Sequence, residues 1–254
     1  MTLFVRKLGH GTRLTVDDEA TLAALAEPVR RVRLGNIVPE GTEPHSIVLV
    51  IEGWVCRYRQ LENGKRQITS VFLPGDLCEP FGALPQFLDH SLAALTPVLM
   101  ARVPPHALRS AARASPRIEE ALWWDLLISD ALHREHIVSL GRRSAVERLG
   151  HVFCELHLRL GMVGLAAQSS YDIALTQVDL ADLVGLSAVH VNRSLQELRG
   201  SGLLSLQGRR LTIHDLHALR ELSMFDPDYL PRHDAISAPA GHSRSVDQDR
   251  RQNR

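Results

Sequence analysis

Leu175-Thr176-Gln177-Val178-Asp179-Leu180-Ala181-Asp182-Leu183-Val184-Gly185-Leu186-Ser187-Ala188-Val189-His190-Val191-Asn192-Arg193-Ser194-Leu195-Gln196-Glu197-Leu198-Arg199 is the stretch whose reading decides the fold. Thr176 and Asp179 form a capping-box-like pair, because a hydroxyl and a carboxylate at that spacing can each accept from an orphaned backbone N–H. Leu180, Leu183 and Val184 give the short helix that follows one apolar face. Gly185 supplies a backbone free to turn sharply, and Ser187 caps a second helix at once. Two short helices joined by a tight turn have the sequence form of a helix-turn-helix.

The second helix sorts its residues by face. Val191, Leu195 and Leu198 follow i, i+4, i+7 spacing and point to a core. Val189, Asn192, Arg193 and Gln196 therefore lie on the open side, beside His190. Side chains near the start of such a helix can meet base edges in a DNA major groove. Downstream, Gly202 to Leu206 and Leu211 to Ile213 flank Gln207-Gly208-Arg209-Arg210, which reads as a two-stranded wing with a basic tip. Arginines there are placed for phosphates, contacts that position a protein without specifying sequence. The candidate interface is thus Thr176, Gln177, Ser187, Ala188, Val189, His190, Asn192, Arg193, Gln196, Arg209 and Arg210, with double-stranded DNA as its partner. Any one of these pieces also occurs in ordinary helical cores; their conjunction is much rarer.

Working outward, Ser144 to Leu160 has helical apolar spacing at Val146, Leu149, Val152, Phe153, Leu156 and Leu160. Pro116 to Leu140 reads as a long helix, well over ~30 Å at 1.5 Å per residue. Its apolar surface, with Ile118, Leu122, Ile128, Ala131, Leu132 and Val138, is wider than a two-stranded seam requires, so it serves its own domain as well as a partner. Gly141 with Arg142-Arg143 marks a break. Adjacent Trp123 and Trp124 point in different directions, one free to face a partner subunit and one its own domain, with core packing also a sufficient role.

Before about residue 110 the texture is β. Ile47 to Ile51 and Trp54 to Arg59 read as strands joined through Glu52-Gly53, and Asn63-Gly64 signals a hairpin returning through Gln67 to Leu73. Close spacing of this kind suggests a small antiparallel sandwich or barrel. Thr15 to Arg33 reads as a short helix whose Asp17, Asp18 and Glu19 suit its positive end. After Phe225, Pro227, Pro231 and Pro239 followed by Gly, Ser, Gln and Arg imply a disordered tail.

Composition sets bounds on the partners. The 254 residues carry 29 basic and 29 acidic side chains, so any field that attracts phosphate must be local. The N-terminus lacks a signal-peptide core, and no apolar run is long enough to span a bilayer. Three distant cysteines, Cys56, Cys78 and Cys154, suit a reducing, cytoplasmic setting and no disulfide framework.

The order of β domain, long helix and Thr-Gln…Leu-Ala-Asp…Gly-Leu-Ser…Val…Asn-Arg-Ser-Leu, then a glycine-tipped wing, resembles the Crp/Fnr family of transcription regulators. The likeness runs from about Arg13 to Phe225 and is most specific between Thr176 and Ile213. It implies an α+β chain: an N-terminal antiparallel, jelly-roll-like β-roll of the cyclic-nucleotide-binding type over residues 1–115, a dimerisation helix over 116–141, a winged helix-turn-helix over 142–225 and a tail over 226–254. It also implies a homodimer on an inverted repeat, and contact with RNA polymerase.

Three departures qualify that resemblance. Relatives that bind cyclic AMP carry Gly-Glu-Leu and then Arg-Ser-Ala, whereas Pro74-Gly75-Asp76 is followed here by Leu77-Cys78-Glu79-Pro80-Phe81, and His90-Ser91 stands where Arg-Ser would fall. A mostly neutral histidine does not replace a bidentate guanidinium, so cyclic nucleotide binding is not expected. The iron–sulfur branch needs an N-terminal cysteine cluster and a fourth thiolate, neither of which exists in this chain. The common Arg-Glu pair after the capping serine is here Ala188-Val189. Arg193 remains able to read guanine and Val189 to pack on a thymine methyl, which predicts a half-site dominated by one guanine, worth about 1–3 kcal/mol.

Other candidates read as bland. Cys78 and Cys154 have no local cations to lower their pKa and read as passive thiols. His133 with His136 shares a helical face, but two ligands rarely make a site; His151 and His157 do not pair, and His10, His45, His90 and His106 are scattered, so no metal or other cofactor is expected. An enzyme on a cupin-like β-roll would want a close His-x-His or His…Glu set, which is absent, and no phosphate loop or nucleophile elbow appears. A nucleotide-sensing regulatory subunit is opposed by the altered cassette and, more strongly, by the wing.

Overall fold

The computed structural model describes residues 2–26, 30–43, 45–78 and 87–230. Capping decides where the first helices start. Helix α1 spans Thr2–Leu8, and α2 spans Val16–Ala24 behind a Thr15–Asp18 capping box. The helix expected over 15–33 is therefore shorter. Arg30–Val32 forms strand β1 instead, because its backbone pairs with Val98–Met100 far along the chain.

Two four-stranded antiparallel sheets follow. One has the order β1-β8-β3-β6, with β3 at Ile47–Glu52, β6 at Leu77–Cys78 and β8 at Val98–Val103. The other has the order β2-β7-β4-β5, with β2 at Gly35–Val38, β4 at Val55–Gln60, β5 at Arg66–Phe72 and β7 at Ser91–Ala94. Gly64 takes φ +81°, the left-handed backbone the β4–β5 hairpin turn demands. Val48, Val50, Val55, Leu92, Ala94, Val98 and Met100 close the space between the sheets. The chain is α+β, with this antiparallel β-roll at its N-terminal end.

Helix α3 (Pro105–Ala114) leads into α4 (Pro116–Arg142), which is capped by Ser115 and 27 residues long. The break expected at Gly141 with Arg142-Arg143 falls at the last of these residues. Gly141 is helical with open space around it, and the chain turns extended at Arg143. The reason lies one residue on, where Ser144 and Glu147 form the capping box that starts α5 (Ala145–Met162). Buried Arg143 locks the corner by donating to the carbonyl oxygens of Ser223 and Met224 and to the Glu135 carboxylate at 2.9 Å.

The remaining elements are β9 (Ser170–Asp172), α6 (Gln177–Val184), α7 (Ala188–Gly200), β10 (Leu204–Gln207), β11 (Arg210–Ile213) and α8 (Leu216–Ser223). The sheet here has the order β10-β11-β9. The chain expected to be disordered from 226 is ordered for a few residues more. Pro227–Tyr229 makes a 3-10 turn, and Leu230 is buried against Trp124 and Ile128 of α4. The rest of the tail, 231–254, lies outside the described residues.

One apolar cluster crosses the domain boundary. Trp54, Cys56, Ile68, Val71 and Leu73 of the β-roll pack with Leu149, Phe153 and Leu156 of α5 and with Leu183 and Val184 of α6. Ion pairs reinforce it. Lys7 of α1 lies between Asp76 at 2.6 Å and Asp125 at 2.5 Å, while Arg159 of α5 reaches Asp76 at 2.9 Å and Glu155 at 3.1 Å. Burial would raise the Asp76 carboxyl, but Lys7 and Arg159 beside it hold it below the usual range.

Candidate nucleic-acid interface

The interface is assembled by local chemistry. Thr176 caps α6: its side chain accepts from the Asp179 N–H at 3.1 Å, and the Asp179 carboxylate accepts from the Thr176 N–H at 3.0 Å. Gly185 ends α6 in left-handed conformation at φ +66°. The left-handed backbone calls for glycine, and a Cβ there would press on the Leu140 side chain at 3.1 Å. Ser187 then caps α7 through the His190 N–H at 3.3 Å and also bonds the His190 Nδ1 at 2.8 Å.

Val191, Leu195 and Leu198 are fully buried, as their spacing required, and Ser194 joins them. Ser187, Ala188, Val189, His190, Asn192, Arg193 and Gln196 are all exposed on α7 or at its start, and Thr176 and Gln177 are exposed at the start of α6. Val189 is 78% exposed, an apolar side chain among polar ones on this face. Asn192 donates to Gln177 Oε1 at 3.3 Å and accepts from Gln196 at 3.0 Å, which links the starts of both helices. Arg193 is exposed and has no hydrogen-bond or ion-pair partner among the described residues.

The wing is a two-residue hairpin closed by the Gln207–Arg210 pair, with Gly208 at φ +59°. Its two arginines differ. Arg209 is at the tip and touches the Ile173 carbonyl at 3.5 Å. Arg210 lies in β11 and is engaged by Asp172 at 3.2 Å and Ser170 at 2.7 Å, so part of its charge is already answered within the chain.

Several residues that hold the interface carry no local sequence signal. Arg66 of β5 donates to Asp179 at 2.7 Å and to Asp182 at 2.6 Å, across 113 and 116 residues of sequence. Asp179 thus divides its two oxygens between the helix cap and the β-roll. Arg148 and Gln67 donate to the Val184 and Leu183 carbonyls at 3.0 and 3.1 Å, which satisfies orphaned acceptors at the end of α6. Arg199 of α7 donates to the Leu206 carbonyl and fastens the wing to the helix.

At the cassette, Leu77 and Cys78 are the buried β6 strand, and Glu79, Pro80 and Phe81 lie outside the described residues. His90 is buried with its Nδ1 2.7 Å from Asp89, and the Ser91 hydroxyl accepts from the Glu40 N–H. Burial pushes the Cys56 and Cys154 thiols up to about 12, the opposite of a reactive thiolate. Trp124 is buried under Gly11, whereas Trp123 is 54% exposed.

Fold and surface together define a class, a β-roll protein that carries a winged helix-turn-helix. Residues 147–222 match the Crp-like helix-turn-helix domain, and residues 33–115 match the cyclic nucleotide-binding domain. The chain is 30% identical to the nitrogen fixation regulation protein FixK of Azorhizobium caulinodans, over 79% of its own length and 81% of that protein. It is 30% identical to an anaerobic regulatory protein of Haemophilus influenzae, over 72% of this chain and 71% of the relative. Among solved structures, FixK2 from Bradyrhizobium japonicum superposes with a TM-score of 0.68 at 26% identity, covering 78% of this chain and 96% of that one. The chain belongs to the Crp/Fnr family and is a DNA-binding transcription regulator of that type.

Proposed function

We propose that the chain binds an inverted-repeat operator as a homodimer, paired through α4, and regulates transcription initiation from the cytoplasm by contact with RNA polymerase. The observation that carries this reading is the sorted surface of α7, apolar inside and solvated outside, beside a tip arginine on the wing. Pairing is supported by α4, which exposes Trp123, Leu127 and Ile137 along one side, with Val138 adjacent. No helix among the described residues is long and apolar enough to cross a membrane.

Thr176, Gln177, Ser187, Ala188, Val189, His190, Asn192, Arg193 and Gln196 form the groove-facing set in this reading. Arg193 reads guanine, Val189 meets a thymine methyl, and Arg209 with Arg210 approaches phosphate. Regulation is independent of the usual cyclic nucleotide, because the His90–Asp89 pair stands where a guanidinium would neutralise the phosphate. An iron–sulfur centre does not fit either: Cys56, Cys78 and Cys154 are all buried and there are only three. The relatives named for nitrogen fixation and anaerobic regulation suggest a role in metabolic switching, with the signal supplied otherwise. The chain acts by binding, without catalysis.

Selection of bound sites from random DNA by the full-length protein tests this. The expected product is an inverted repeat with half-site centres roughly 34 Å apart, unchanged by added cyclic AMP. Failure to enrich any duplex sequence would refute it.

A further inference from the structure

Three carboxamides lie in a row on the open face of the helix-turn-helix. Gln196 Nε2 donates to Asn192 Oδ1 at 3.0 Å, and Asn192 Nδ2 donates to Gln177 Oε1 at 3.3 Å. All three residues are exposed. Gln177 is the first residue of α6, while Asn192 and Gln196 sit one turn apart on α7. The row therefore spans the two helices of the motif.

From this row we infer that Asn192 reads an adenine in each half-site, with Gln177 and Gln196 as the positioning residues that hold its amide. The inference rests on the DNA-binding reading above and adds to it a base and a mechanism of selection. A primary amide has two donor hydrogens and two acceptor lone pairs. Gln177 takes one of the Asn192 hydrogens, and Gln196 takes one lone pair. One N–H and one lone pair remain, on the same planar group. Turning all three amides over together leaves the same remainder.

Adenine alone matches that remainder in the major groove. It offers N7 as an acceptor and the N6 amino group as a donor, whereas guanine offers two acceptors, cytosine one donor, and thymine one acceptor beside a methyl. An unsupported asparagine would have to give up rotamer freedom on binding. One already tied at both ends loses less, so more of the pair's strength appears as discrimination. Val189, three residues earlier on the same face, and Arg193, the next residue, lie beside it on α7.

The test uses the full-length protein and the operator obtained by selection, with binding followed by fluorescence anisotropy at fixed salt. Each adenine is replaced in turn by 7-deazaadenine, which keeps base pairing and removes the N7 acceptor. Wild type should lose about tenfold in affinity at one adenine per half-site, within the range for half of a good bidentate pair. Asn192→Ala should bind natural and deaza sites equally. Gln177→Ala should shrink the gap below about threefold with an unchanged salt dependence, and Gln177→Glu, which keeps an acceptor for Asn192, should restore the gap.

An operator without an invariant adenine, or one insensitive to deaza substitution throughout, overturns the inference while leaving specific DNA binding intact. Gln177→Ala that weakens all sequences alike and flattens the salt dependence also overturns it, since Gln177 would then be a phosphate contact. If no sequence is enriched at all, the underlying DNA-binding reading fails instead.

Discussion

Helices α4 and α7 solve the same packing problem and leave opposite surfaces behind. Each buries one face, α4 through Ile118, Leu122, Trp124, Ile128 and Ala131, and α7 through Val191, Leu195 and Leu198. Outside, α7 shows amides, a histidine, Arg193, Glu197, Arg199 and a single valine. The outer side of α4 shows Trp123, Leu127, Ile137 and Val138, interrupted by the Asp130–Arg134 ion pair and ending at Gly141. Trp123, Leu127, Asp130, Arg134, Ile137 and Gly141 recur at alternating steps of four and three, the repeat of a two-helix seam, with Val138 beside that line. What a helix exposes thus sorts its partner: polar and cationic for nucleic acid, apolar and periodic for a second helix.

The largest expected effect comes from spoiling the apolar line. Leu127→Glu with Ile137→Glu should yield monomers in sedimentation and cost about a hundredfold or more on an inverted repeat, because two tethered half-site contacts become two separate ones. A dimer that survives both changes would remove α4 from the pairing role. Next is the polar face: Arg193→Ala should lose about 1–3 kcal/mol on the selected site and relax preference at one guanine. Equal loss on every sequence would assign Arg193 to phosphate.

A third prediction probes the seat on which both helices rest. Burial pushes His136 of α4 down to about 4 and His151 of α5 down to about 3. An unfolded histidine binds protons below a pKa of about 6.5, so the unfolded state gains protons first as pH falls. The stability present above that pH should drop by about 2 kcal/mol for each histidine by pH 5. Urea midpoints at pH 7 and pH 5 measure it, and His151→Gln should narrow the difference; an equal difference in that variant would contradict the assignment. The smallest effect belongs to the wing. Arg209→Ala should weaken all sequences by a similar modest factor and reduce the salt slope by about 1, whereas Arg210→Ala should do less, since Asp172 already engages that guanidinium.

Where sequence and structure differ, the cause is distance along the chain. Gly141 invited a break because glycine costs about 1 kcal/mol in a helix. Helix α4 carries it nonetheless, and the stop comes at the Ser144 capping box. Arg30–Val32 continued an apparent helix until pairing with β8 claimed it. Leu230 looked like tail, and a site on Trp124 and Ile128, a hundred residues upstream, orders it. Helix α1 was legible only as a segment too polar for a signal sequence, yet its Lys7 joins two carboxylates from other elements.

The helix-turn-helix could be read residue by residue because caps, turn glycine and apolar spacing act within a few positions, where the chain carries both partners of each interaction. The docking of that motif on the β-roll could not. Arg66 with Asp179 and Asp182, and the apolar cluster from Trp54 to Val184, join residues whose contact depends on the completed fold. Short-range hydrogen bonds are written in neighbouring letters; the burial of one domain's face against another exists only once both are built.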